Sequence, residues 1–477
     1  MSKSISLDPT VVLADAYSPR RESLPAGVCS QDQGIEPLTT KVDPYDQGQI
    51  TKAIERLIEL RWRPEQSYGG VKFPVIRRGD KVVIKPNLVF HQNQKTGEDL
   101  ECLVTHAHTI AAVLKIVERS EPSSIVIGDA PIQSCNFERL LASHPYPELL
   151  REIDKSTSSA RLVDFRCVLL KAAHGLSQRE NSRRSEDDYR LVDLQGFSAL
   201  EPVSLMADSF RVTMYDPRAL KRTHTLGRHQ YLVAKEILDA DVVINMPKLK
   251  THKKACLTGA LKNLVGINGH KEYLPHHRKG GSGQGGDCYE GYSWFKNVAE
   301  NLYDLANRHE RVRGYILRNL AETAFRIGVV LGADSNLEGS WYGNDTVWRT
   351  CLDLNRILMY SDIQGVVQSR EQREIVCVTD AVICGEGEGP LSPEPKLVGK
   401  MSLARNPAAA DYVHAHIMGF NWEKIPVVRE AFRQGPLPIA KFAPGDVSVV
   451  SQGIVEPGKI EVSKEPFRAP KGWINHC

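Results

Sequence analysis

From Asn245 to Gly280 the chain reads NMPKLKTHKKACLTGALKNLVGINGHKEYLPHHRKG, with eight Lys or Arg against one acid, Glu272. Four histidines join them: His252, His270, His276 and His277. Cations at this density, interleaved with Asn, Thr and Gly, suit a phosphate- or carboxylate-bearing ligand. In that reading Lys85, Lys248, Lys250 and Lys262 neutralise the anion. Asn87, Asn245 and Asn263 orient it by hydrogen bonds, and His252 serves as a general acid–base. Thr258 to Val265 (TGALKNLV) reads as a helix start, whose free N–H groups and positive dipole end favour an anion. Gly280 to Asp287 (GGSGQGGD) adds a flexible loop able to bring backbone N–H groups to a ligand. The plain competing reading is a solvated basic surface loop.

The acidic counterpart is Gly385-Glu386-Gly387-Glu388-Gly389-Pro390, a few residues beyond Asp380. Asp380, Glu386 and Glu388 could hold a hard divalent cation such as Mg²⁺. Alternatively Asp129 and Glu386 could transfer protons, or the segment is a Gly-rich turn with exposed Glu. Thr105-His106-Ala107-His108 offers a histidine pair that suits a cap or the core more readily than a metal. Trp341 in GSWYGNDTVWR is as consistent with packing as with stacking on a ligand. The chain has no P-loop, no G-x-S-x-G elbow and no H-E-x-x-H, which removes the sequence support for those phosphate-binding, hydrolase and zincin chemistries.

These residues need elements that bring them together. Asp80–Ile84, Ser124–Ile127, Asp241–Ile244 and Glu374–Thr379 are apolar runs of strand length, each ending in a polar or proline-containing turn. Helices are predicted over Gln47–Glu65, Thr109–Arg119 (Thr109 as N-cap), Asn136–Ala142, Tyr231–Leu238, Thr346–Leu358 and Ala408–Met418, with Trp294–Val330 mostly helical. Tyr17–Pro44 reads as a strap and Arg179–Arg190 as a solvated excursion. Strands alternating with helices predict an α/β fold with a largely parallel sheet and crossover helices. In such sheets ligands bind beyond the carboxyl ends of the strands, so all four polar clusters should share one edge. KVVIKPNL and DVVINMPKL echo each other, either as two related halves or as the common chemistry of buried parallel strands. The expected division is 1–76 as strap and helix, 77–290 as a first α/β part, 291–360 as a helical insertion, 361–435 as a second α/β part and 436–477 as an extension.

Composition is that of a globular chain: 41% hydrophobic and 25% charged. Lys plus Arg is 61 and Asp plus Glu 58, a net charge of +3, which argues against an all-round nucleic-acid binder. The +7 of the Asn245–Gly280 segment is therefore offset elsewhere. The N-terminus shows no signal-peptide pattern and no apolar run reaches the roughly 20 residues of a span, so a cytoplasmic protein is expected, with no membrane partner. The ten cysteines form no C-x-x-C pair, so an iron–sulfur ligand motif is absent.

The succession VVIKPN (82–87), Thr105-His106, IVIGDAP (125–131), DVVINMPKLKTH (241–252), TGALKNLVG (258–266), LPHHRKG, GEGEGP (385–390) and ARNPAAADYV resembles the uncharacterised family catalogued as domain of unknown function 362, over about Val82 to Ala431. The resemblance implies an α/β protein. Many members add a ferredoxin module, whose cysteine run is absent from this sequence, and a distant similarity to nickel-cofactor lactate racemases is an analogy of fold. It carries no catalytic assignments. The expectation is an enzyme acting on an anionic small molecule, with Mg²⁺ or another divalent metal as a possible cofactor. The alternatives are a non-catalytic binder of an anionic polymer or protein partner, and a redox or iron–sulfur component.

Overall fold

The computed structural model describes residues 5–16, 43–62, 70–97, 99–173, 176–212, 215–309, 311–451, 454–455 and 465–477. Most of the strap predicted at Tyr17–Pro44 lies outside them. One eleven-stranded sheet organises the molecule. Its strands are β1 (Thr10–Asp15), β2 (Lys81–Pro86), β3 (Ser124–Asp129), β4 (Ala160–Asp164), β5 (Val242–Met246) and β6 (Lys248–His252). They continue with β7 (Cys256–Thr258), β8 (Glu374–Glu388), β9 (Ser392–Ala404), β10 (Ser448–Val450) and β11 (Ile454–Val455). The order is β11-β10-β1-β9-β8-β5-β2-β3-β4, with β6 pairing β8 and β7.

The five strands β8-β5-β2-β3-β4 are mutually parallel, as the α/β reading requires. Parallel strands buried on both faces read as continuous apolar runs. Here Ile84, Ile127, Ile244 and Val376 turn to one face, packing with α1 (Gln47–Trp62) and α2 (Ala107–Glu118). Val83, Val126, Val243 and Ile375 turn to the other face and pack in a second core. That core includes α7 (Val347–Tyr360) and α8 (Pro407–Met418). In chain order between α2 and α7 lie α3 (Tyr146–Asp154), α4 (Ala260–Asn263), α5 (Trp294–Asn307) and α6 (Arg311–Val330). Both expected α/β parts thus contribute to a single sheet. The echoing segments pair side by side in register, Val82 with Val242 and Lys85 with Asn245.

Several element assignments change. The helix predicted to start at Thr109 starts at Ala107, with His106 as cap, because the His106 ring accepts from the His108 N–H at 3.3 Å. Tyr231–Leu238 is not one helix: Arg228–Ala234 is a strand whose buried positions alternate, followed by a short helix, Lys235–Asp239. Arg179–Arg190 contributes to strands Leu176–Asn181 and Tyr189–Asp193. The largest difference is β8, which does not stop near Asp380 but runs on through Glu388. A register shift between Ala381 and Ile383 bends it. Its first half pairs with β5, and from Asp380 onward it pairs with β6.

Candidate functional site

The carboxyl ends of β5, β2 and β3 lie side by side next to the middle of β8 at Asp380, so the polar residues there meet at one edge. At its centre the Lys85 ammonium donates to Asp129 Oδ1 at 2.7 Å and to Asn263 Oδ1 at 3.2 Å. The second Asp129 oxygen accepts from Leu88 N at 2.7 Å. Asn263 also accepts from Asn87 Nδ2 at 3.0 Å and donates to Asn245 Oδ1 at 2.7 Å. Lys250 donates to Asn87 Oδ1 at 2.9 Å and to the Leu103 carbonyl. Burial lowers the pKa of Lys85, offset by Asp129, and lowers that of Lys250 strongly, since no carboxylate is bonded to it. Gly266 closes this network from above: a Cβ there would lie 1.8 Å from Asp129 Oδ1.

Beside it, Lys248 pairs with Asp380 at 2.7 Å, and the Tyr45 hydroxyl bridges them at 2.6 and 2.8 Å. The His106 N–H donates to Asp380 Oδ2 at 3.0 Å, and its ring stacks on Tyr45 at 3.8 Å. Burial, then the nearby Lys248 charge, holds the His106 imidazole neutral.

The residues expected to grip a ligand are therefore largely occupied with one another. Lys85, Asn87, Asn245, Asn263, Lys250 and Asp129 form one network, and Lys248 and Asp380 neutralise each other. Glu386 and Glu388 are not brought to Asp380. Glu386 lies six residue steps further along the strand, roughly 20 Å of extended chain. Glu386 accepts from Arg468 N and Nε at 3.0 and 2.8 Å, and Glu388 from Lys471 N at 2.7 Å. Both carboxylates fasten the segment 465–477. Among the described residues, Asp380, Glu386 and Glu388 do not form a group able to share an ion.

Two more expectations change. The N-terminus of α4 does hold an anion, but it is the chain's own. Ala260 N and Leu261 N donate to Asp411 at 2.6 and 2.9 Å, and a Cβ on Gly259 would lie 2.0 Å from that carboxylate. Asp411 also bonds His414 Nδ1, whose Nε2 meets Ser402 Oγ, each at 2.9 Å. This chain has the connectivity of a hydrolase triad, yet all three residues are sealed in the core, so it is a structural network. The Gly280–Asp287 loop presents no cradle either. From Ser282 to Cys288 every backbone N–H is already bonded, among them Gly286 to Gly281 O and Cys288 to Gly280 O.

Beside the Lys85 network lies a basic cluster in which Lys254, His252 and His276 surround Lys262. Lys262 makes no hydrogen bond or ion pair among the described residues, and burial lowers its pKa. Burial, then Lys262, Lys254 and His276, keeps His252 neutral. Burial, then Lys254, holds His276 down to about 3. Thr258 contributes a buried hydroxyl with no partner. The tautomers follow from the hydrogen bonds. His252 Nδ1 accepts from Lys254 N at 3.0 Å, which leaves Nε2 protonated. His276 Nδ1 donates to Leu274 O at 2.6 Å, which leaves Nε2 with the lone pair. One ring thus offers a donor and its neighbour an acceptor. Sequence reasoning placed Lys254 and His276 in the basic segment without singling them out. Nothing in their spacing separates them from the lysines that pair internally.

A largely parallel α/β sheet with a polar carboxyl edge is the class this geometry defines. Residues 180–416, nearly half the chain, match the model of the family described as Domain of unknown function (DUF362). The resemblance read from the motifs is thereby borne out over this span. VVIKPN and IVIGDAP lie outside it, but β2 pairs with the matched β5 and β3 pairs with β2. A curated relative is the Thylakoid-associated protein sll1697 of Synechocystis sp., 25% identical over 222 residues. The alignment covers 46% of this chain and 47% of that relative, so the chain spans about half the length of the protein it matches. No solved structure matches the chain. No helix among the described residues is long and apolar enough to cross a membrane.

Proposed function

We propose that this protein is a cytoplasmic enzyme that binds a phosphate- or carboxylate-bearing small molecule at the carboxyl edge of its sheet. Lys262 and Lys254 would neutralise the anion, and His252 and His276 would act as a proton donor and acceptor pair. The observation that carries this reading is the Lys262 ammonium, which has no hydrogen-bond or ion-pair partner among the described residues, beside Lys254 and two neutral imidazoles. Lys262 is half-buried, and a cation partly withdrawn from water without a counter-charge is destabilised. An anionic ligand removes that cost. The remaining edge residues act as scaffold: Lys85, Asp129, Asn87, Asn245, Asn263, Lys250, Lys248 and Asp380 fix the strand ends on which the basic segment sits.

Thermal denaturation against inorganic phosphate, sulfate and a panel of mono- and dicarboxylates tests this. Binding to the native state raises the midpoint with ligand concentration. Lys262→Met should weaken the effect about tenfold or more, the range for loss of one charge-assisted bond. No response to any anion at millimolar concentration, or an equal response in Lys262→Met, would refute the site.

A further inference from the structure

We propose that His277, Cys288 and Glu300 form a binding site for one divalent transition-metal ion of the zinc type. The three residues are buried, and their imidazole nitrogen, thiol sulfur and carboxylate oxygen all lie within 4.8 Å of one another. Three elements deliver them. His277 sits on the two-residue strand His277–Arg278, Cys288 follows the glycine-rich loop, and Glu300 lies on α5. The loop is built for the approach. Gly286 lies where a Cβ would come 2.1 Å from Gly280 O and 2.2 Å from Lys279 O, so the chain can return Cys288 toward His277 only with glycine there.

Three further observations point to an occupant. His277 is 4% exposed and its Nδ1 has no hydrogen-bond partner. A cavity of about 30 Å³ is lined by His277, Cys288, Glu300 and Glu338, the size of one ion or water. Outer bonds already aim the donors, as metal sites require. Gly280 N donates to both Glu300 oxygens at 3.1 Å, and Glu338 N donates to Cys288 Sγ at 3.1 Å. Arg211 also lines the cavity, but its guanidinium is bonded to both oxygens of Asp304 at 2.8 and 3.0 Å.

The donor set selects the ion. One thiolate, one imidazole and one carboxylate suit zinc-type ions rather than Mg²⁺, and leave the fourth tetrahedral position to water or a ligand. Charge balances as well. On binding, Cys288 releases its proton to solvent, and one thiolate and one carboxylate neutralise the dication in a buried site. The site adjoins the basic cluster, since Lys254 and His276 act on His277 and Lys254 on Cys288. The two share no proposed ligand, so metal binding and anion binding are read by different probes and either can fail without the other.

The test is titration of the chelator-treated full chain with Co²⁺, followed by competition with Zn²⁺. The expected result is one equivalent bound, with tetrahedral d–d absorption and a thiolate charge-transfer band that Zn²⁺ abolishes. Cys288→Ser should remove the charge-transfer band. His277→Ala and Glu300→Gln should each weaken binding at least about tenfold, while Cys477→Ser leaves the spectrum unchanged. A wild-type chain that shows no such absorption after excess Co²⁺ overturns the proposal, as does an unaltered spectrum in Cys288→Ser. Should Cys288→Ser not fold, the wild-type spectrum and Glu300→Gln decide.

Discussion

The lysines that the sequence groups as ligand-binding divide by partner. Lys85 and Lys248 are spent on Asp129 and Asp380, whereas Lys262 is not paired. Removing one member of a buried pair leaves an uncompensated charge, so Asp129→Ala or Lys85→Ala should cost about 3–5 kcal/mol in urea unfolding. Replacing both with apolar residues should cost less than either alone. Lys271 provides a pH signature. Burial, partly offset by Asp129, lowers its pKa to about 7, and its ammonium reaches only Val265 O at 3.4 Å. The unfolded chain therefore binds the proton more tightly between about pH 7 and 10.5, and this residue's contribution to stability rises with pH across that window. Lys271→Met should raise stability at neutral pH and flatten the profile there, read by thermal melts in the absence of anions.

At the level of elements, α4 depends on Asp411, the acceptor for two of its first N–H groups. Asp411→Ala should destabilise the protein by at least about 2 kcal/mol, because it orphans those donors and the His414 ring together. This scale also shows what the sequence made legible. The four parallel strands and their polar exits were readable because a buried strand is a short apolar run that stops at Pro, Asn or Asp. The Arg228–Ala234 strand was read as helix because its apolar residues continue into Ile237 and Leu238, which belong to the next element. Glu386 and Glu388 looked like a turn because glycine alternates with them. In fact their pairing with Pro393-Glu394-Pro395 and neighbours on β9 carries β8 onward. The Asp411 cap could not be read at all, since about 150 residues separate it from α4.

For the whole molecule, near-neutral charge is ion pairing spread through the fold, Lys85–Asp129 and Lys248–Asp380 being the pairs at the sheet edge, and Lys262 stands outside it. An anion there raises the pKa of the surrounding amines, so binding takes up protons. Phosphate affinity should therefore strengthen as pH falls through the range, below that of a free lysine, in which these amines titrate. Calorimetry in two buffers of different ionisation enthalpy would detect the uptake. A weakening of affinity over the same range would contradict the assignment. An exposed stripe for an anionic polymer would instead lose affinity steeply with salt. The segment that carries Lys262 joins strands and helices from both ends of the chain, which explains why no short motif announces it.

The in-register ladder of β2 and β5, Ile84 beside Ile244 and Lys85 beside Asn245, has a consequence for motion. Binding regions are usually drawn from the parts of a protein that open most readily. Here the polar edge begins one residue past the most enclosed amides of the sheet. Hydrogen–deuterium exchange at Ile84, Lys85 and Ile244 should be limited by global unfolding, whereas the amides of Lys253 and Lys254 should exchange by local opening. Any adaptation to a ligand would then fall to the basic segment, over a floor that stays still.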